Sequence, residues 1–155
     1  MQREKIKTII CWFLVILCMG VIFWLSSRTS HESAEQSSSV LHWLVSIFGD
    51  NFFTDFIVRK LAHCLEFTGL CFLFNTALYQ QNKKAMPMYA IIFTSLYAVT
   101  DEFHQLFVEG RACRVLDWAI DSFGALLGAM SFIVIYKIIR VCSLKKQKFI
   151  DTRNN

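Results

Sequence analysis

Charge and proline are both scarce in this sequence. Only 18% of its 155 residues are charged, and Pro87 is its single proline. A soluble globular domain usually carries about a quarter charged residues. The six cysteines form no CxxC pair, which excludes the common zinc and dithiol redox motifs. Four of them, Cys11, Cys18, Cys64 and Cys71, sit inside apolar runs, where cysteine acts as a small hydrophobe. There is no HExxH, no Ser/His/Asp pattern and no internal repeat. Nor is there the strict apolar–polar alternation of a membrane strand. The net charge of +4 is distributed among loops and tail, and it does not imply a nucleic-acid partner.

What the chain has in abundance is apolar length. "TIICWFLVILCMGVIFWL", Thr8 to Leu25, contains no charged residue. Eighteen such residues make a transmembrane helix candidate. The run follows a basic start, "MQREKIK", but no small-x-small cleavage site follows it, so a retained signal-anchor is expected rather than a signal peptide. Three more segments resemble it. Leu61 to Tyr79 is apolar apart from His63, Glu66 and Asn75. Met86 to Val108 begins with Pro87, well placed in a first helical turn. Val115 to Tyr136 is apolar apart from Asp117, Asp121 and Ser122.

The expected fold is therefore an all-α integral membrane protein. It is a single domain, 1–155, with four transmembrane helices near 8–27, 60–80, 86–108 and 115–137, and a basic tail from 138 to 155. Between the first two spans, "SSSVLHWLVSIFG" predicts a short amphipathic helix at the membrane interface, ended by Gly49. Asp50 to Asp55 offers cap residues for the second span. Trp12, Trp24, Trp43 and Trp118 are expected to include interfacial anchors. Asn75 is expected to hydrogen-bond between helices. Lysine and arginine set the orientation. With the N-terminus inside, eleven of the sixteen fall on the inner side and five on the outer, so both termini are expected in the cytoplasm of a plasma-membrane protein.

That topology brings the intramembrane polar residues to one level. At about 1.5 Å per residue, Glu66, Asp101 and Asp121 each lie about 20–22 Å from the inner end of their helix. At 100° per residue, Arg59, His63, Glu66 and Leu70 share one stripe of the second span. Asp117, Asp121, Gly124 and Gly128 share one stripe of the fourth. Gly124 and Gly128 form a GxxxG pattern, which lets a second helix approach closely. Asp101 and Gln105 are an i, i+4 pair, with Glu102 to one side. His104 lies on the other side, facing lipid, loop or cluster. Ionisable residues within spans are rare and mark functional sites by default. The competing reading is a structural network in which Arg59, Lys60, Arg111 and Arg114 neutralise the acids.

Three segments in this order resemble the VanZ-like membrane family, which is named for a teicoplanin resistance protein. "RKLAHCLEF", Arg59 to Phe67, is similar to its (D/R)K-x-x-H-x-x-E/x-Y/F segment. "DEFHQLFVEGR", Asp101 to Arg111, is similar to its D-E-x-x-Q…P-G-R segment. "DWAIDSFGALLG", Asp117 to Gly128, is similar to its D-x-x-x-N-x-x-G-x-x-x-G segment. Glu109 stands where proline is usual, and Asp121 where asparagine is common. The resemblance implies a small multi-helix membrane protein. Some members are linked to lower susceptibility to glycopeptide antibiotics.

Two functions follow as expectations. In the first, an outer pocket binds a lipid-linked cell-wall precursor, a peptidoglycan-related ligand or the lipophilic antibiotic itself. Arg59, Lys60, Gln105, Arg111, Arg114, Asp117 and Asp121 form the candidate binding set, with arginines gripping phosphate or carboxylate. In the second, His63, Glu66, Asp101 and Glu102 form an acid/base or metal-bound catalytic site acting on a lipid. The sequence identifies neither a metal nor a cofactor. A transporter is a weaker third reading, since no inverted repeat is visible.

Overall fold

The computed structural model describes the backbone of residues 2–48 and 54–154, and the side chains among them except those of residues 48 and 147–154. The described residues form five α-helices and no strand. They are α1 (Gln2–Ser26), α2 (Ser30–Phe48), α3 (Asp55–Asn82), α4 (Pro87–Gln105) and α5 (Val115–Asn154). α3 is the central element and touches each of the other four, whereas among these helices α2 packs against α3 alone.

Three helices, α1, α3 and α5 as far as Lys146, are long and apolar enough to cross a membrane. α4 is not among them, and Asp101, Glu102 and His104 fall in its last two turns. Large apolar side chains such as Ile9, Phe13, Ile16, Leu126 and Met130 are exposed on the outer faces of α1 and α5. In lipid such faces are satisfied, and the helical backbone leaves no polar group unpaired. The buried core lies on the facing stripes. Val15 and Ile22 of α1 meet Phe67, Leu70, Cys71 and Phe74 of α3, Ala90 and Ala98 of α4, and Ala125 and Ala129 of α5.

Local chemistry explains the boundaries. α2 is longer than the predicted interfacial segment because a capping box starts it earlier. Glu32 Oε2 accepts from the Thr29 N–H at 2.9 Å, and Thr29 Oγ1 accepts from the Glu32 N–H at 3.3 Å. The contact with Thr29 holds the Glu32 carboxyl below the usual glutamate range. The expected stop at Gly49 lies outside the described residues. α3 starts five residues before its predicted span. Its N-cap is Thr54, one of the offered cap residues, whose Oγ1 accepts from the Ile57 N–H at 3.3 Å. α3 ends at Asn82 and is capped by Lys83, which adopts the left-handed conformation (φ 53°) and donates its N–H to the Tyr79 carbonyl at 2.8 Å. α4 starts at Pro87 and stops at Gln105, three residues short of expectation, where the chain turns. α5 does not end with the apolar run but continues through the basic tail as one helix.

The two ends of the bundle carry different contacts. At one end Glu4 is clasped by Lys7 at 2.9 Å and by Lys83 at 2.6 Å, which ties the start of α1 to the α3–α4 turn. Trp12 Nε1 also donates there, to Gln81 Oε1 at 2.8 Å, so this indole bridges α1 and α3. At the other end the α1–α2 and α4–α5 connections meet. The Ser30 N–H donates to the Glu109 carbonyl at 3.2 Å. Gly110 sits beside it at φ 73°, where a Cβ would lie 2.9 Å from the Ser30 Cβ. Only glycine suits that backbone and that approach. This end holds the polar residues.

Candidate functional site

The site is assembled from α3, α4, the start of α5 and the connection 106–114. The glycines of α5 bring it against α3. A Cβ at Gly124 would overlap the Cys64 carbonyl, and one at Gly128 would overlap the Thr68 carbonyl. Thr68 Oγ1 then donates across the contact to the Gly124 carbonyl at 3.0 Å. One turn toward the polar end, this close packing places Asp121 in the interior, 1% exposed.

Asp101, Glu102 and Gln105 of α4 are also buried. Asp101 Oδ2 accepts from Ser26 Oγ at 2.7 Å and from Gln105 Nε2 at 3.0 Å. Glu102 Oε2 accepts from the Arg114 N–H at 2.8 Å, just before the first residue of α5. Glu66 of α3 and Asp101, Glu102 and Asp117 lie within electrostatic reach of Asp121. His63 Nδ1 and Glu66 Oε2 are 3.9 Å apart on α3.

The basic residues do not neutralise these acids one for one. Lys60 Nζ meets Asp117 Oδ1 at 2.5 Å, with both side chains mostly buried. That contact is a charge pair rather than an aligned hydrogen bond, since Asp117 Oδ1 has no hydrogen-bond partner by geometry. Among the described residues, Arg59, Arg111 and Arg114 form no ion pair. Arg111 Nε instead donates to the Arg28 carbonyl at 2.9 Å. Arg59 Nε is buried without a hydrogen-bond partner. Burial, and then the neighbouring Arg59 charge, lowers the Arg111 guanidinium from its ordinary value. On the acidic side, Glu66 Oε2, Asp101 Oδ1 and both oxygens of Asp121 also lack hydrogen-bond partners. Apart from Asp117, which pairs with Lys60, the charges are thus segregated, with arginines at the rim and carboxylates behind them.

The rim encloses a cavity of about 310 Å³. Arg59, Lys60, His63, Gln105, Arg111, Arg114 and Asp117 line it, together with Ser30, Phe56, Gly110 and Ala112. Seven residues singled out in the sequence therefore share one wall. Glu66, Asp101, Glu102 and Asp121 do not line it. Among the described residues, no three of His, Cys, Asp and Glu group as ligands for one metal ion.

Of the remaining polar residues, His104 takes one of the orientations left open for it, and Asn75 departs from expectation. His104 turns away from the cluster. It stacks on Phe23 of α1, with ring centroids 4.3 Å apart, and its Nε2 lies 3.0 Å from Ser27 Oγ. Asn75 does not bridge helices, for its Nδ2 donates to the Cys71 carbonyl of its own helix at 3.0 Å. Ser26 and Arg28 were not expected in the site. Ser26 is the last residue of α1, and its one signal in the sequence is a small hydroxyl following an apolar run.

These features define a helical membrane protein with a basic pocket at one end of its bundle. The family model VanZ/LLP1 matches residues 11–139, and the chain belongs to that family. No curated protein and no solved structure matches the chain.

Proposed function

We propose that the chain is a four-span protein of the cell membrane, both termini on the inner face, whose outer pocket binds an anionic group of a cell-envelope ligand. The carrying observation is the set of three arginines, Arg59, Arg111 and Arg114, that line one cavity and make no ion pair among the described residues. Lys60 is already compensated by Asp117. Arg59 and Arg111 are partly buried, Arg114 is exposed, and Asp101, Glu66 and Glu102 offset the Arg111 charge only at a distance; a phosphate or carboxylate in the cavity would supply direct bidentate hydrogen bonds. α4, with 19 residues, is the fourth span in this reading. A helix of that length reaches about 28 Å, close to the thickness of a bilayer core. Lipid-linked cell-wall precursors and lipophilic glycopeptides both carry such anions, so binding here would alter antibiotic access. The test is teicoplanin susceptibility of a strain lacking the protein and of one carrying Arg111→Ala. Raised susceptibility in both supports the role; unchanged susceptibility in both removes the antibiotic part.

A second reading is an intramembrane acid/base enzyme. It is favoured by the buried carboxylate oxygens of Glu66, Asp101 and Asp121 that have no hydrogen-bond partner. His63 and Glu66 would then exchange protons with a lipid substrate held at the arginines. Purified protein that turns over no polyprenyl-phosphate would sink this reading while leaving the binding role in place.

A further inference from the structure

The basic cavity has a neighbour. Between α2 and α3 runs a second cavity of about 400 Å³, walled by Leu25, Val40, Leu44, Val58, Leu61, Ala62 and Leu65. Its surface is mainly apolar, with Ser33, Gln36 and Ser37 on the α2 side and Glu66 on the α3 side. Arg59, His63 and Arg111 line both cavities. The two spaces therefore adjoin at the two arginines. One is polar and basic, and the other is a hydrocarbon-lined groove.

This pairing fits an anionic amphiphile. A free inorganic anion would use the arginines and leave the groove empty. A neutral hydrocarbon would use the groove and leave the arginines uncompensated. An amphiphile with a phosphate joined directly to its chain satisfies both at once. α2 forms one side of the groove and, among the described helices, packs on α3 alone. Ser37 Oγ reaches Asp55 Oδ1 at 3.4 Å, and the Ser30 N–H holds the Glu109 carbonyl at 3.2 Å, so α2 is pinned beside the site.

Resting on the anion-binding reading above, we infer that the ligand is a lipid phosphate, with its phosphate between Arg59 and Arg111 and its hydrocarbon chain in the α2–α3 groove. α2 then serves as one wall of a lipid site. Recognition is bipartite, and affinity depends on the chain as well as on the charge.

The experiment uses the full chain in maltoside micelles, with farnesyl phosphate, farnesol and inorganic phosphate as probes. Farnesyl phosphate is expected to bind at least about tenfold more tightly than either other probe, because each buried methylene adds to affinity. Ala62→Phe, which fills the groove, is expected to remove that advantage and leave inorganic phosphate binding unchanged. Val40→Phe, from the opposite wall, gives the same test if Ala62→Phe fails to fold. Farnesyl phosphate binding that matches inorganic phosphate, or that survives both groove variants, overturns the chain placement and leaves the phosphate pocket standing. If Arg59→Gln and Arg111→Gln leave all phosphate binding unchanged, the pocket reading itself falls, and the lipid site with it.

Discussion

Ser26 and Asp101 stand 75 residues apart in the chain, and the Ser26 hydroxyl donates to the Asp101 carboxylate at 2.7 Å. The bond joins the last residue of α1 to α4, and both side chains are buried. Among the described residues, Gln105 supplies the only other hydrogen bond to that carboxylate. Ser26→Ala is therefore expected to lower stability by about 1–3 kcal/mol, the range for losing a hydrogen bond to a buried acceptor. Asp101→Asn keeps an acceptor for Ser26 and should cost less. Thermal unfolding in detergent compares the two, and the reverse order would contradict the assigned bond.

Gly124 and Gly128 have no room for a side chain, whereas a Cβ at Gly69 would meet nothing within 4 Å. Gly124→Ala and Gly128→Ala are expected to destabilise by about 1–3 kcal/mol each, because α3 and α5 must separate. Gly69→Ala should be neutral or stabilising, since alanine favours the helix by up to about 1 kcal/mol. Equal effects at all three positions would disprove the close α3–α5 contact.

Lys60 and Asp117 compensate each other, with side chains only 18% and 16% exposed. Removing one leaves the other charge partly buried. The double variant Lys60→Met/Asp117→Asn should be more stable than the two single losses predict, with a coupling of about 1–3 kcal/mol. A thermal-unfolding cycle measures it; additive losses would mean that the pair does not interact.

Glu32 caps α2 through Thr29, and its carboxyl titrates below the usual glutamate range. A depressed carboxyl stabilises the folded form above the unfolded value. That contribution fades as pH falls from about 4.3, the unperturbed glutamate value, through the lower folded one. Amide exchange at the start of α2 should therefore accelerate below that pH relative to the rest of the helix. Glu32→Gln should abolish this pH dependence.

Much of this arrangement is legible in the amino-acid sequence. Uncharged length marks α1, and apolar runs mark α3 and α5. The polar stripe on α3 and the glycine stripe on α5 follow from a period of 3.6. Legibility ends where a residue's fate depends on another helix. His104 and Gln105 are adjacent, yet one stacks on Phe23 and the other binds Asp101. Asn75 lies in an apolar run and satisfies its amide nitrogen within its own turn. Neither choice is encoded in spacing.

By itself the sequence determined the helical class, the apolar faces, and which side chains would share a stripe, because these depend on local geometry and on hydrophobicity along one helix. The tertiary structure alone decided the pairing of charges. Lys60 found Asp117, Ser26 arrived at Asp101 from another helix, and three arginines were left facing a cavity. Periodicity gives the direction of a side chain about its own axis. It does not give the rotation and register of the helix that comes to meet it. Those are set by close packing at Gly124 and Gly128 and by contacts between residues distant in the chain.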